Sequence, residues 1–284
     1  MLLNISDLDS GKNMFFNISN LIKIEFTEQF ETINILNMRG MFKDCRKLKS
    51  IELSNFKTDN VRDFSYMFNN CNSLSSIKIL NFNTKKANDI SYMFSNCNSI
   101  KKLTLESFNT INVVDMSGLF SGCKSLASID LNKFNTKKVE YMQYMFGECS
   151  SLHIIDISSF KTNNVKDLSY MFNDCSALKS INLKEFETHN VYSLEGLFMG
   201  CNKLTSIDLK KFDITKVKYI NKIFYGCKNL KKIDISSFNN ITWNINDELF
   251  DENLSKIGEI TITKNLDSII KTKIPSQWKI KIIK

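Results

Sequence analysis

The sequence is poor in glycine, proline and histidine: its 284 residues include nine glycines, one proline and two histidines. Gly and Pro are the usual residues of tight turns, so Asn, Ser and Lys must make most turns of this chain. The histidines, His153 and His189, stand at unrelated positions of the repeat described below. The chain also lacks a Walker loop, a G-x-S-x-G motif and an H-E-x-x-H motif. We therefore expect a protein that is not an enzyme, with no catalytic residues, no metal site and no cofactor.

Long hydrophobic runs are also missing. No apolar run approaches the roughly 20 residues needed to cross a bilayer. The first residues, MLLNISDLDSGKNMFF, are acidic where a signal peptide has its apolar stretch. We therefore expect a soluble chain with no membrane span, either intracellular or cut out of a longer exported protein.

The net charge of +8 is concentrated in one place. Six lysines and one aspartate lie between Thr263 and Lys284, so this stretch carries +5 of the total. A nucleic-acid-binding protein is expected to carry a basic face along its body. The charge distribution therefore argues against nucleic acid as the partner and leaves a lysine-rich tail that could bind an anionic surface.

Cysteine, by contrast, recurs with strict regularity, since the step from each cysteine to the next is always the same, as from Cys45 to Cys71. Phe stands three residues before each cysteine, Leu or Ile three after it, an aliphatic pair six and eight after it, and a second Phe eleven after it. Val usually stands sixteen after it. A fixed period of 20–50 residues is typical of a solenoid. The cysteines are Cys45, Cys71, Cys97, Cys123, Cys149, Cys175, Cys201 and Cys227.

Within one repeat the hydrophobic period changes. The pair Ile129 and Leu131 alternates with polar residues, as in a strand, whereas Val139, Met142 and Met145 have the spacing of three and four residues that predicts one or two helical turns. Pairs such as Asn60 and Asp63, at the start of this second segment, resemble a helix capping box. Each coil is therefore predicted to contain one strand and one short helix or turn. Stacking would bury the second Phe row, with Phe134 between Phe108 and Phe160.

The repeat also resembles a known family. The frame MFxxCxxLxxIdLsxFxTxxVxxMsyMF, seen as MFNDCSALKSINLKEFETHNVYSL from Met171, is similar to the BspA-like leucine-rich-repeat surface proteins over about residues 30 to 250. The resemblance implies an α/β solenoid, a right-handed leucine-rich-repeat-like superhelix used for adhesion or protein binding. It also implies a cell-surface or secreted protein, although no signal peptide or anchor is visible in the sequence.

The two ends depart from the repeat and predict three regions. Residues 1–29 are expected to form a degenerate N-terminal capping coil, residues 30–253 the solenoid of eight Cys-centred units, and residues 254–284 a degenerate last coil with a Lys-rich cap strand. In WKIKII, Trp278, Ile280 and Ile282 alternate with Lys279 and Lys281, which predicts a terminal strand whose isoleucines face inward and whose lysines face outward. Lysines on an edge strand protect it from pairing with other chains.

The cysteines allow two interpretations. Stacked coils place equivalent Cα atoms about 4.8 Å apart, which is within the range of a disulfide. The parallel direction of stacked side chains instead favours a buried ladder of free thiols. The threonines that stand thirteen residues after the cysteine position are predicted to bond to backbone groups in the bend.

The candidate binding site is the outward face of the predicted strands. Its centre is Ser128, Asp130 and Asn132, and Asp156, Asp208 and Asp234 continue the Asp130 row. Stacked carboxylates repel one another, so the row predicts either a protein partner with a basic surface or a solvated face with nearby lysines. No small-molecule substrate is expected.

A second candidate is a row of tyrosines on the helical side of the coil. Tyrosine combines a large contact area with a polar tip, so the row could be a binding platform or could cover apolar neighbours. The leading hypothesis is a protein-binding or adhesion module, and the alternative is a structural or assembly subunit of a larger complex. The tyrosines are Tyr66, Tyr92, Tyr144 and Tyr170.

Overall fold

The computed structural model describes residues 9–27, 30–238, 248–251, 253–266 and 270–283. Parts of both predicted caps lie outside these residues. So does Trp243, which stands at the valine position of its repeat. The three-region division of the chain therefore remains a prediction.

Short parallel strands stack coil upon coil near the two ends of the chain. Strands β1 (Lys23–Ile24), β2 (Ser50–Glu52) and β3 (Ser76–Lys78) form one sheet. Strands β4 (Ser206–Asp208), β5 (Lys232–Asp234), β6 (Glu259–Thr263) and β7 (Lys279–Ile283) form the second, and a 3-10 turn, Lys264–Leu266, follows β6.

The strand register reproduces the sequence repeat. Ser50 pairs with Ser76, one full repeat further along the chain, so equivalent residues of successive coils lie side by side. The step is one residue longer than the repeat where Lys23 pairs with Ser50 and where Lys232 pairs with Glu259, and it is shorter than the repeat in the last pair, Glu259 with Lys279. The chain is thus a stack of parallel coils.

The prediction of a strand in every coil is wrong for the middle of the chain. The described residues between Ile79 and Thr205 contain no strand, although the alternation of buried and exposed residues persists there. In this stretch no backbone hydrogen bond joins the segment 103–106 to the segment 129–132. These coils are held together on their opposite side.

That opposite side, called the turn side below, is linked by backbone bonds along almost the whole solenoid. An unbroken series of parallel β-bridges runs from Ser10 to Tyr219, one bridge per coil. In the coil of Cys71, the N–H groups of Tyr66, Phe68 and Asn70 each donate to a carbonyl of the next coil at 2.8 Å. The shared backbone bonds fix the coil spacing here.

The predicted short helix is wrong, and the turn alternative is correct. In the same coil Met67 donates its N–H to the carbonyl of Phe64 at 3.1 Å, which closes one β-turn, and a second turn follows directly. Tyr66 and Asn70 are the third residues of the two turns and have positive φ values of 59° and 62°. Such values suit a β-turn and exclude a right-handed helix. Two consecutive turns give the same apolar spacing as a helix.

The predicted capping box is also wrong. A carboxylate oxygen of Asp63 accepts the N–H of Ser65, two residues ahead, at 2.8 Å and so forms an Asx-turn. Asn60 donates its side-chain amide to the carbonyl of Ile33 in the preceding coil at 2.9 Å. Both side chains serve backbone groups outside any helix.

The core consists of side-chain rows that run along the stack. The phenylalanines that precede the cysteines lie nearly parallel from Phe42 to Phe224, with ring centroids 5.5–6.3 Å apart. The second Phe row is buried as well, with Phe134 only 4% exposed. Rows of one residue type place identical shapes against one another in every coil, which keeps the packing uniform.

The cysteines form the buried row expected of a thiol ladder. All eight are buried and unbridged in this structure. Each Sγ from Cys71 to Cys227 donates to the carbonyl of the Phe that precedes the cysteine of the preceding coil, at 3.0–3.2 Å; Cys149, for example, donates to Phe120. The thiols therefore satisfy carbonyls of the preceding coil.

The threonine row joins the coils on the side of the bend, as predicted. The hydroxyl of Thr136 accepts the N–H of Lys161 at 2.7 Å and donates to the carbonyl of the same residue at 2.9 Å. Thr58, Thr84, Thr110 and Thr162 make the same two-way contact in their own coils.

The C-terminal strand alternates only in part. Trp278 is buried and Ile280 is half-buried, while Lys279 and Lys281 are exposed as predicted. Ile282 is 48% exposed, so its predicted inward position is wrong. β7 pairs with β6 along one edge, and its other edge has no strand partner among the described residues.

Candidate binding surface

The centre of the candidate site is exposed but is not part of a hydrogen-bonded sheet. Ser128, Asp130 and Asn132 are exposed, whereas Ile129 and Leu131 between them are buried. The predicted alternation is therefore present, although this coil lies in the strand-free middle of the chain. We use the term strand face for the surface formed by these outward positions.

Because the coils are not bonded to each other here, a cleft of about 480 Å³ opens between the coils of Cys97 and Cys123. Ser128 and Asp130 line one wall of this cleft, and Thr104 and Leu105 line the other. Residues outside the candidate site predicted from the sequence complete the lining. They are Lys101, Lys102, Leu103, Glu106, Ile129, Lys133 and Phe134.

Each acidic residue of the row has a local structural role that the sequence analysis missed. Asp130 accepts the N–H of Asn132 at 3.0 Å, and Asp156 accepts the N–H of Ser158 at 2.9 Å. This contact forms an Asx-turn. The signal was in the sequence, because a turn-forming polar residue follows two positions after the acid.

The same cap recurs at the C-terminal end of the row. Asp208 accepts the N–H of Lys210 at 3.1 Å, and Asp234 accepts that of Ser236 at 3.0 Å. The cap satisfies a backbone donor and also stabilises the charged form of the acid. It explains why hydrogen bonds from Ser158 hold the pKa of Asp156 below its usual value.

The acidic row divides into two groups. Asp130 and Asp156 stand on consecutive coils, and Asp208 and Asp234 pair in register across β4 and β5. Asn182 occupies the equivalent position of the coil that separates the two groups. Asp208 has an ion pair with Lys210 at 3.2 Å, whereas neither Asp130 nor Asp156 has an ion pair in the described part of the chain.

The tyrosines lie on the turn side and form two stacked pairs. The rings of Tyr66 and Tyr92 are 5.0 Å apart and those of Tyr144 and Tyr170 are 4.8 Å apart, with interplanar angles of 13° and 10°. All four side chains are half-buried, so each ring is partly exposed to solvent. Between the pairs stands Gly118, at the same position of its coil.

The described residues offer neither a metal-binding cluster nor a membrane-spanning helix. No cluster of three His, Cys, Asp or Glu side chains suited to a metal ion occurs within the described ranges. Over the same ranges, no helix has the length and apolar character required to cross a lipid bilayer.

Comparison with known proteins identifies the family. The profile of a family described as "Mycoplasma protein of unknown function, DUF285" matches residues 9–104, 88–192 and 153–261. The chain belongs to this family. The three DUF285 matches overlap and together span the Cys-centred repeats, as expected where one unit recurs along the chain. No curated protein matches the sequence.

Three solved structures give weaker likenesses. The pneumococcal vaccine antigen PcpA is 14% identical with a TM-score of 0.42, over 93% of this chain and 68% of that one. A leucine-rich-repeat protein of Leptospira interrogans is 10% identical with a TM-score of 0.19, over 89% and 94%. The functional domain of InlJ from Listeria monocytogenes, described as including a cysteine ladder, is 11% identical with a TM-score of 0.18, over 87% and 75%. All three TM-scores are below 0.5. The strand register of this DUF285 protein itself shows the stack of parallel coils.

Proposed function

We propose that this protein is a non-enzymatic protein-binding or adhesion module that binds its partner through the strand face. The supporting observation is the cleft between the coils of Cys97 and Cys123, with Ser128 and exposed Asp130 on its wall. The cleft lies on a continuously packed core. Binding there would therefore immobilise few additional side chains and cost little conformational entropy. The repeat further supports kinship with BspA-like surface proteins, a right-handed superhelix and a location at the cell surface.

The proposed partner presents basic groups to the strand face. Asp130 and Asp156 are exposed on neighbouring coils and have no described ion pair, so a lysine or arginine of the partner could approach both. Lys101, Lys102 and Lys133 line the same cleft as Asp130 and add positive charge to it, which favours a partner that also carries an acidic group. Complementary charges of this kind act mainly on association rate and specificity.

The first prediction tests the charge of the acidic row. Asparagine keeps the oxygen that caps each turn, so the triple variant Asp130→Asn, Asp156→Asn, Asp208→Asn removes the charge without removing the cap. Against a partner obtained by affinity capture, its association rate at low salt is expected to fall about tenfold, with a shallower salt dependence. Stopped-flow or surface-plasmon measurements at several salt concentrations provide the test.

The matched control is Asp213→Asn. Asp213 also caps a turn, by accepting the N–H of Thr215 at 2.9 Å, but lies in the bend after Phe212. This variant should bind like the wild type. Unchanged association rate and salt dependence in the triple variant would place the site elsewhere.

The alternative function, a subunit of a larger assembly, is favoured by a different observation. The first described coil exposes Phe16, Ile18 and Ile22 by 46%, 42% and 56%, an apolar group at one end of the stack. Exposed apolar clusters of this kind often mark protein contacts. A solution mass above that of the monomer that returns to the monomer in Phe16→Asp would support assembly, and a monomer at all concentrations would contradict self-assembly.

A further inference from the structure

The turn-side position occupied by the tyrosines follows a longer repeat than the coil itself. From the first Cys-centred unit to the eighth, every residue at this position has a φ between 54° and 60°. Glycine occupies every third coil as far as the seventh. The residues are Gly40, Tyr66, Tyr92, Gly118, Tyr144, Tyr170, Gly196 and Lys222.

Gly118 stands between the two stacked tyrosine pairs and has no side chain, so it interrupts the row of rings. The ring of Tyr92 leans into the vacated space, since a Cβ atom on Gly118 would lie 2.2 Å from Tyr92 Cε1. Tyr144 follows on the next coil and stacks on Tyr170 with one face. Tyr92 and Tyr144 have no ring contact with each other among the described aromatic pairs. We call the space that they flank the Tyr92–Tyr144 slot.

The first tyrosine pair shows what such a ring face accepts. One face of Tyr66 stacks on Tyr92, and the guanidinium carbon of Arg39 lies over the ring of Tyr66 at 4.9 Å from the centroid. The ammonium of Lys43 lies 5.1 Å from the same centroid. Both cations come from the preceding coil, so they cover the face of Tyr66 that is turned away from Tyr92.

The second pair has the same open face without the cations. In the coil that precedes Tyr144, the residues equivalent to Arg39 and Lys43 are Ser117 and Ser121. Their side chains are too short to cover a ring. No cation of the described residues lies over Tyr92 or Tyr144, although an equivalent contact is made at Tyr66.

The charge around the slot also suits a cation. Asp115, Asp167 and Glu195 have no ion pair in the described part of the chain, and their other contacts are with hydroxyl or backbone N–H groups. Burial raises the pKa of Tyr144, and the charges of Glu195, Asp167 and Glu148 raise it further. The nearby basic side chains are already paired, Lys124 with Glu148 and Lys166 with Glu140.

From this geometry we propose that the Tyr92–Tyr144 slot binds the guanidinium group of an arginine in a basic segment of a partner protein. Arginine fits better than lysine, because a planar guanidinium stacks on an aromatic face and sheds water more readily than an ammonium. The slot lies on the turn side and not on the strand face, so this proposal does not rest on the function proposed above.

The probe is a capped peptide, Gly-Arg-Gly-Arg-Gly, titrated into the full chain at low salt while the tyrosine ring resonances are followed by NMR. Its citrulline analogue keeps the shape of the side chain without the charge and is expected not to bind. Tyr144→Leu should raise the Kd about tenfold, because the leucine has no aromatic face. Tyr144→Phe keeps the ring and should bind within about twofold of the wild type.

Two further variants separate the slot from general attraction to acidic groups. Tyr66→Leu removes a ring whose open face Arg39 already fills, so it should leave the Kd unchanged. Ser117→Arg places an arginine where Arg39 stands relative to Tyr66, and should abolish peptide binding while Tyr144 remains. Circular dichroism and the urea midpoint verify that each variant is folded.

Three results would overturn the proposal. They are an unchanged Kd in folded Tyr144→Leu, equal binding of the citrulline peptide, and an equal loss of binding in Tyr66→Leu. If Tyr144→Leu does not fold, an unchanged Kd in folded Ser117→Arg overturns it instead.

Discussion

Replacing Phe146 by alanine is expected to lower the free energy of unfolding by about 3–5 kcal/mol. Phe146 is fully buried, and its ring stacks between Phe120 at 5.7 Å and Phe172 at 5.6 Å. Truncation removes contacts with both neighbouring coils and leaves a cavity that the backbone-bonded turn side cannot close. Urea unfolding followed by circular dichroism and by fluorescence measures the loss.

Two other phenylalanines provide comparisons. Phe16 is 46% exposed, so Phe16→Ala should change the free energy of unfolding by less than about 0.5 kcal/mol. Phe134 lines the cleft, so water can reach the space left by Phe134→Ala, and its cost should be smaller than that of Phe146→Ala. If Phe146→Ala lowers the free energy of unfolding by less than about 1 kcal/mol, the stacked phenylalanine row does not make a major contribution to core stability.

The cysteine thiols of the native protein are expected to react about a thousandfold more slowly than those of the unfolded chain at pH 8. Burial is the main cause, because it raises the pKa of Cys123 from 9.0 to about 12 and that of Cys227 equally far. The thiolate is the reactive form, and it is rare at a pH far below the pKa. Counting thiols with a chromogenic reagent, before and after unfolding without reductant, measures both rate and number.

Eight thiols that appear only on unfolding would support the free-thiol ladder, and four or fewer would indicate bridges between neighbouring coils. Asp130→Cys is the positive control, because position 130 is exposed and its thiol should react at once. If all eight thiols of the native protein react as fast as those of the unfolded chain, the buried ladder is contradicted.

The same pKa shifts predict a loss of stability at high pH. A thiol whose pKa is higher in the folded state favours folding fully below the pKa of the unfolded chain, near pH 9. As the pH rises from about 9 to about 12, the unfolded chain loses protons that the folded chain retains, so the free energy of unfolding falls. Cys123→Ala should weaken this pH dependence without removing it, since the other thiols of the ladder remain.

Much of the core could be predicted from the sequence. Rows such as Phe42 to Phe224 recur once in every repeat, and side chains at the same position of a stacked coil must meet. The threonine row followed from the same argument, since a buried hydroxyl between coils needs backbone partners. The candidate residues Ser128, Asp130 and Asn132 face outward as predicted because they alternate with buried Ile129 and Leu131.

The pairing between coils could not be predicted in the same way. The spacing of Val139, Met142 and Met145 suits one helical segment or two consecutive β-turns. The positive φ of Tyr144 and Glu148 excludes the right-handed helix. Nothing in a single repeat decides between the two, because the turns are stabilised by backbone bonds to the coils before and after.

The sequence by itself therefore determined that equivalent residues stack, which side chains are buried and which face outward, because these follow from period and polarity. Only the tertiary structure decided where the coils are hydrogen-bonded to one another, since the turn side fixes their spacing and leaves the strand face open between the coils of Cys97 and Cys123. It likewise decided that Asp130 and Asp156 cap turns, and that Gly118 separates two tyrosine pairs. These features depend on distances between coils, and the period of the sequence repeat does not determine those distances.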